Sequence, residues 1–233
     1  SLTATSTGGD IGTNLVRLNT QVGTIALSAV NGEAYVDNTN LDLTVNASTA
    51  LGDLCINTEG TMTVAGTVTA NAISLLATTA SVSLQGDVLV QAALNTTGVD
   101  TIVDIDADRD IITSGLGTIS ANLIVGTAGR DITIGAAVTG DNNVVHSALS
   151  SVTFSTAGGN FTANDTVSGN QVDISAETIQ LNALVSGTGA GNVVSLTAEN
   201  SITGANINGQ ISAETLNLTS TTGDIGALGA EIL

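Results

Sequence analysis

The sequence predicts an all-β chain wound as a parallel β-helix, a solenoid of roughly 11 coils of about 19–23 residues each. Three observations lead there. A five-residue phrase of alternating aliphatic positions ending in Ala or Ser returns along the whole chain, as Ile25-Ala26-Leu27-Ser28-Ala29, Ile73-Ser74-Leu75-Leu76-Ala77, Ile179-Gln180-Leu181-Asn182-Ala183, Val194-Ser195-Leu196-Thr197-Ala198 and Leu216-Asn217-Leu218-Thr219-Ser220. A corner-like tripeptide recurs between the phrases. Helix-forming periodicity and proline are both missing.

Period-two alternation marks half-buried strands, and its return at short intervals marks stacked coils instead of one globular core. Strand-like stretches begin near Leu54, Ile73, Leu123, Val144, Val193 and Leu216, with steps of 19, 21 and 23 where neighbours pair. Each step fits two or three short strands per coil. The corners read as Gly-Asp-aliphatic at Gly9-Asp10-Ile11, Gly52-Asp53-Leu54, Gly86-Asp87-Val88 and Gly223-Asp224-Ile225, and as Arg-Asp-Ile at Arg109-Asp110-Ile111 and Arg130-Asp131-Ile132. A permissive residue, an Asp that bonds neighbouring amides, then a core aliphatic leads the chain into a strand. The lack of proline fits strands that nearly all need their amides for a ladder.

Longer similarities nest these units in a larger repeat. Ile174-Ser175-Ala176-Glu177-Thr178-Ile179-Gln180-Leu181 returns 37 residues on as Ile211-Ser212-Ala213-Glu214-Thr215-Leu216-Asn217-Leu218, and Thr5 to Gly12 resembles Thr219 to Gly226 at an offset of 214. The composition is even from residue 1 to 233, so one continuous β-helix segment is expected, a fragment of a much longer repetitive protein.

Only three aromatics, Tyr35, Phe154 and Phe161, stand among 42% hydrophobic residues, so the core must be built from Val, Ile, Leu and Ala. Acidic residues number 21 against three Arg and no Lys, for a formal charge of -18. Phosphate binding needs clustered cations, which excludes nucleic acid as a partner. The charge keeps an apolar-cored rod soluble and opposes lateral association, while leaving Ca²⁺ and cationic surfaces as compatible partners. Cys55 is alone, so no intrachain disulfide forms, and it is expected as a reduced, partly covered thiol facing away from Leu54 and Ile56. No apolar run approaches the ~18 residues of a membrane helix, so membrane insertion is not expected.

Thr127-Ala128-Gly129-Arg130-Asp131-Ile132-Thr133-Ile134, the Leu2 to Gly12 opening and the Leu-x-Leu-x-Ala strands together resemble the repeat regions of filamentous-haemagglutinin-like, two-partner-secreted bacterial adhesins. The resemblance covers essentially the whole chain. It implies a right-handed coil, a place on the cell surface or in the medium, and attachment to a partner cell or host surface, with carbohydrate among the ligands. It also implies export of the parent protein by an outer-membrane transporter, although the secretion domain of such proteins is not recognisable in this stretch.

Asp104, Asp106, Asp108 and Asp110 alternate with Val103, Ile105, Ala107 and Arg109, which in a strand puts four carboxylates on one face. Adjacent members would suit Ca²⁺, but Arg109 stands where an EF-hand loop requires Gly, and the favoured reading is a solvated acidic face. His146, the only imidazole, has Ser147 and Ser150 nearby without a nucleophile elbow. Thr61-Met62-Thr63 and Thr67-Val68-Thr69 resemble ice-binding ranks locally, with no regular rank expected once per coil. Sequons at Asn46, Asn95, Asn160, Asn164 and Asn217 are read as chance. No catalytic, cofactor or metal residue is therefore assigned. The expected function is a non-enzymatic stalk or attachment segment; the alternative, a carbohydrate-active β-helix enzyme, requires a cleft in which carboxylates and Arg converge.

Overall fold

The computed structural model describes residues 1–79, 86–98, 100–140, 151–204 and 208–226, and for Ser151 the backbone alone. Within them every regular element is a strand, all neighbours run parallel, and the chain forms a β-helix of about nine turns. Each standard turn has three faces. A long face is built from strands such as Ala34–Asn38, Asp53–Glu59, Ala72–Thr78, Ile102–Ala107, Leu123–Ala128 and Ser151–Thr156. A first short face follows it, with Asp42–Val45, Thr61–Val64, Val88–Val90, Ile111–Ser114 and Ile132–Gly135. A second short face closes the turn, with Ser48–Ala50, Val68–Ala70, Leu94–Thr96, Ile119–Ala121 and Val138–Gly140.

Alternation explains the long face. Leu54, Ile73, Val103, Ile124, Val152, Val172 and Val194 stack in one inward column, all with no exposed surface. Burying each such side chain is worth about 1.5–3 kcal/mol. The Ala that ends the recurring phrase also has a reason: Ala77, Ala107, Ala128, Ala176 and Ala198 form the inward column beside the corner between the long and first short faces. Thr58 and Thr156 occupy the same column beside Ala77 and Ala128, so where the two faces converge the position takes small side chains. In the last turns this corner is wrapped without a break, by Gln171–Leu181 and Val193–Gly204, with a register shift between Ala176 and Thr178.

Turn length departs from the expectation. Leu54 pairs with Ile73 after 19 residues and Val172 with Val194 after 22, but Ile73 pairs with Val103 after 30 and Ile124 with Val152 after 28. Two lengthened turns consume chain without adding rungs, which lowers the count from the expected 11 to about nine. The strand expected at Val144 lies outside the described residues; Leu123 pairs with Ser151.

The first turns are also out of phase. Leu2–Ser6 stacks on Thr24–Ala29, yet Thr24 and Ile25 then pair with Thr44 and Val45 on one short face, while Ser28 and Ala29 pair with Thr49 and Ala50 on the other. The phrase at Ile25 therefore does not stack on its relatives at Ile73 and Val194. The 37-residue repeat behaves likewise. Ile174 to Leu181 wraps from the long to the first short face, and Ile211 to Leu218 wraps from the second short to the long face.

The only two Phe residues pack together across a corner, with ring centroids 5.5 Å apart, and both are buried. Space for Phe154 comes from Gly126 on the rung below, where an added Cβ would lie 2.5 Å from Phe154 Cδ1. Gly126→Ala is expected to cost about 1–3 kcal/mol through overpacking. Urea unfolding checks this, and Phe154→Leu in the Gly126→Ala background should recover part of the loss.

Candidate functional site

Groups capable of chemistry collect at three places: the corner entering the first short face, the outer surface of the long face near the N-terminal turns, and that same surface near the C-terminal turns. The corner carries a ladder of alternating charge. Arg109 donates through Nε to Asp87 Oδ1 at 2.7 Å and through Nη2 to Asp87 Oδ2 at 2.5 Å, and Arg130 repeats this bidentate pairing on Asp110 one turn on. The carboxylates also accept backbone amides of the following turn, from Asp110 to Asp87 and from Asp131 to Asp110, each at 3.2 Å. Asn160 ends the series by donating its amide to Asp131 Oδ1 at 2.8 Å. Planar guanidinium groups suit this fork geometry. The hydrogen bonds and charge of Asp110 hold the Arg130 guanidinium even more firmly protonated than usual.

The four alternating aspartates are split by this corner. The strand ends at Ala107, so Asp104 and Asp106 share the outer long face as expected. Asp108 lies in the turn, accepting the Thr79 amide at 2.7 Å and the Thr79 hydroxyl at 3.0 Å. Asp110 is covered by Arg130 at the corner and is 4% exposed. The single acidic face of four carboxylates is thus corrected to a pair. Among the described residues no group of three or more His, Cys, Asp or Glu side chains is placed to hold a metal ion. Burial, then the neighbouring Asp106, raises the Asp104 carboxyl above its ordinary range.

Near the N-terminal turns, the loop between Ile11 and Leu18 folds over the long face. Arg17 stacks on the Tyr35 ring, 5.4 Å from its centroid, and pairs with Asp37 Oδ1 at 3.4 Å. Tyr35 donates its hydroxyl to Asp53 Oδ2 at 3.2 Å and is 5% exposed. Burial, reinforced by Asp53, pushes its phenol up. Cys55 lies between Tyr35 and Ser74 on this face, half-buried, while Leu54 and Ile56 point into the core as alternation requires. Burial raises the thiol as well, so it is held protonated. The loop tip presents Leu15 and Val16, 95% and 73% exposed.

Toward the C-terminal turns the long face bears hydroxyls. Thr153, Ser155, Asp173, Ser175, Ser195 and Thr197 line a shallow depression of about 300 Å³. Beside it a second depression of about 250 Å³ includes Thr156, Glu177, Glu199 and Thr221. Neither holds an arginine. Arg109 and Arg130 sit instead in the corner ladder, each committed to carboxylates, so the convergence that a lyase-like cleft requires is not formed by these residues.

His146, Ser147 and Ser150 lie outside the described residues. Thr61 and Thr63 share a strand, but Thr67 precedes the strand that holds Thr69, which separates that pair. A regular rank nonetheless exists where none is expected. The outward position of the second short face runs from Thr49 to Ser212 with one Ser or Thr per turn, Asn95 excepted. Its signal was in the sequence as tripeptides such as Val68-Thr69-Ala70 and Val138-Thr139-Gly140, too short to be read as strands alone. Of the sequons, Asn46, Asn160, Asn164 and Asn217 are exposed and Asn95 is half-buried within that rank. Comparison with protein-family models, curated proteins and solved structures finds no match.

Asp110→Ala removes the acceptor of the Asp131 amide and leaves two guanidinium groups short of a partner. About 2 kcal/mol of stability is expected to go, against less than about 0.5 for Asp106→Ala, in chemical denaturation. Asp104 has the opposite sign. A carboxyl raised in the folded chain favours folding below its unfolded value of about 3.9 and loses that contribution as pH rises through its folded value. Asp104→Asn is therefore expected to raise the melting temperature at pH 7, with the gain shrinking toward pH 3 in thermal scans.

Proposed function

We propose that this chain is a stalk and attachment segment of a giant haemagglutinin-like bacterial protein, exported through an outer-membrane transporter and working at the cell surface or in the medium. The observation that carries the reading is the uninterrupted core. Buried aliphatic columns run from Ile25 to Ile202 through every turn, and each described rung pairs with a neighbour on either side except at the two ends. Such a stack spaces and displays; at ~4.8 Å per rung, about nine turns make a shaft of roughly 43 Å. Two of the three arginines support the same reading, since Arg109 and Arg130 are joined with the buried Asp87 and Asp110 into the corner ladder, while Arg17 is paired with Asp37. The adhesin resemblance of the strand and corner motifs supplies the biological setting.

Multivalent display on a shaft gives weak contacts useful avidity. Beads coated with the chain are expected to adhere to bacterial or host cells several-fold more than bare beads. Adhesion equal to bare beads, together with release of oligosaccharide from a polysaccharide panel, would overturn the reading in favour of an enzyme.

A further inference from the structure

Charge is not spread evenly around the coil. The strands of both short faces and the corner joining them carry only two charged side chains among the described residues, Asp42 and Asp165. The rest of the described charge lies on the long face and at the two corners that flank it, including Asp37, Asp104, Asp173, Glu177, Glu199 and Glu214. The second short face itself has no charged residue in its described strands, so it is a neutral ribbon on a chain with a formal charge of -18.

The ribbon is also ordered. Along the second short face the outward rank from Thr49 to Ser212 places a hydroxyl or amide at each rung, about 34 Å of groups in register at ~4.8 Å per step. Ser120, Thr139 and Ser168 are consecutive members and all are solvent-accessible. The side chains between them point inward, as with Ile119, Val138 and Val167, all essentially buried. Hydroxyls both donate and accept, and they are held here by a rigid backbone, so little entropy is lost when they are engaged.

We propose, resting on the attachment reading, that this neutral hydroxyl ribbon is the contact side of the shaft, and that its ligand is an uncharged polyhydroxylated polymer lying along the axis. Charge selects that class. An anionic polymer meets no cluster of cations anywhere on the chain, because Arg109 and Arg130 are bound in the corner and Arg17 is held by Asp37. A protein partner would need apolar anchors, and the rank offers none. A polymer with hydroxyls along its length can trade hydrogen bonds with successive rungs and gain from their number.

Co-sedimentation with microcrystalline cellulose and chitin as neutral probes, and with an alginate gel as an anionic one, tests this. Wild type is expected on a neutral probe and not on alginate. A variant with Ser120→Ala, Thr139→Val and Ser168→Ala keeps shape and charge and is expected to bind at least about tenfold more weakly. The matching long-face variant with Thr127→Val, Ser155→Ala and Ser175→Ala should bind as wild type, with circular dichroism confirming both folds. Equal loss in the two variants, preference for alginate, or self-association of wild type abolished by the first variant would overturn the inference. Wild type that adheres to cells yet ignores both neutral probes would also overturn it while leaving attachment standing. Failure on cells and probes alike would remove both.

Discussion

Parallel stacking in register is the constraint from which the rest follows. Every turn must bring its strand back one rung from its predecessor, so that amides and carbonyls meet and inward side chains land on inward side chains. A one-residue slip would turn the Leu54, Ile73 and Val103 column outward and Cys55, Ser74 and Asp104 inward. The corners exist to prevent that slip. Asp87, Asp110 and Asp131 do so by taking hydrogen bonds from the turn that follows them, with Arg109 and Arg130 holding the carboxylates in place.

Much of the coil was legible in the sequence because its rules are local. Alternation placed Leu54 and Ile56 inside and Cys55 outside, and the Gly-Asp and Arg-Asp tripeptides marked real corners. What local rules do not encode is which corner. Gly52-Asp53-Leu54 enters the long face and Gly86-Asp87-Val88 the first short face, since Leu54 pairs with Ala34 and Val88 with Met62. The motif needs only a turn followed by a buried aliphatic, and the coil supplies that at more than one place. For the same reason sequence relatives 37 residues apart occupy different faces.

Turn length was hidden for a related reason. Residues added at a corner leave the flanking strands unchanged, so the 30-residue step from Ile73 to Val103 looks from sequence like a strand gone missing. The aspartate series is regular in sequence only: spacing of two continues past Ala107, but the strand does not, and Asp110 is buried against Arg130 of the next turn, a pairing that alternation cannot foresee. The hydroxyl rank is not legible in the sequence because strands of three residues have a single outward position, which is too little for a periodic signal. Its order resides between turns.

The fit of Phe154 over Gly126 bears on how such a chain changes through time. Coils built wholly of Val, Ile, Leu and Ala are near-equivalent neighbours, and copying or deleting one disturbs its contacts little. The coil with Phe154 tolerates fewer neighbours, because the rung below it must leave a gap where others carry Leu75 or Ile105. Gene duplication that began or ended between those two rungs would set a large ring against a filled column. The two positions are therefore coupled across the rung: a residue that fills the gap at Gly126 calls for a smaller one at Phe154.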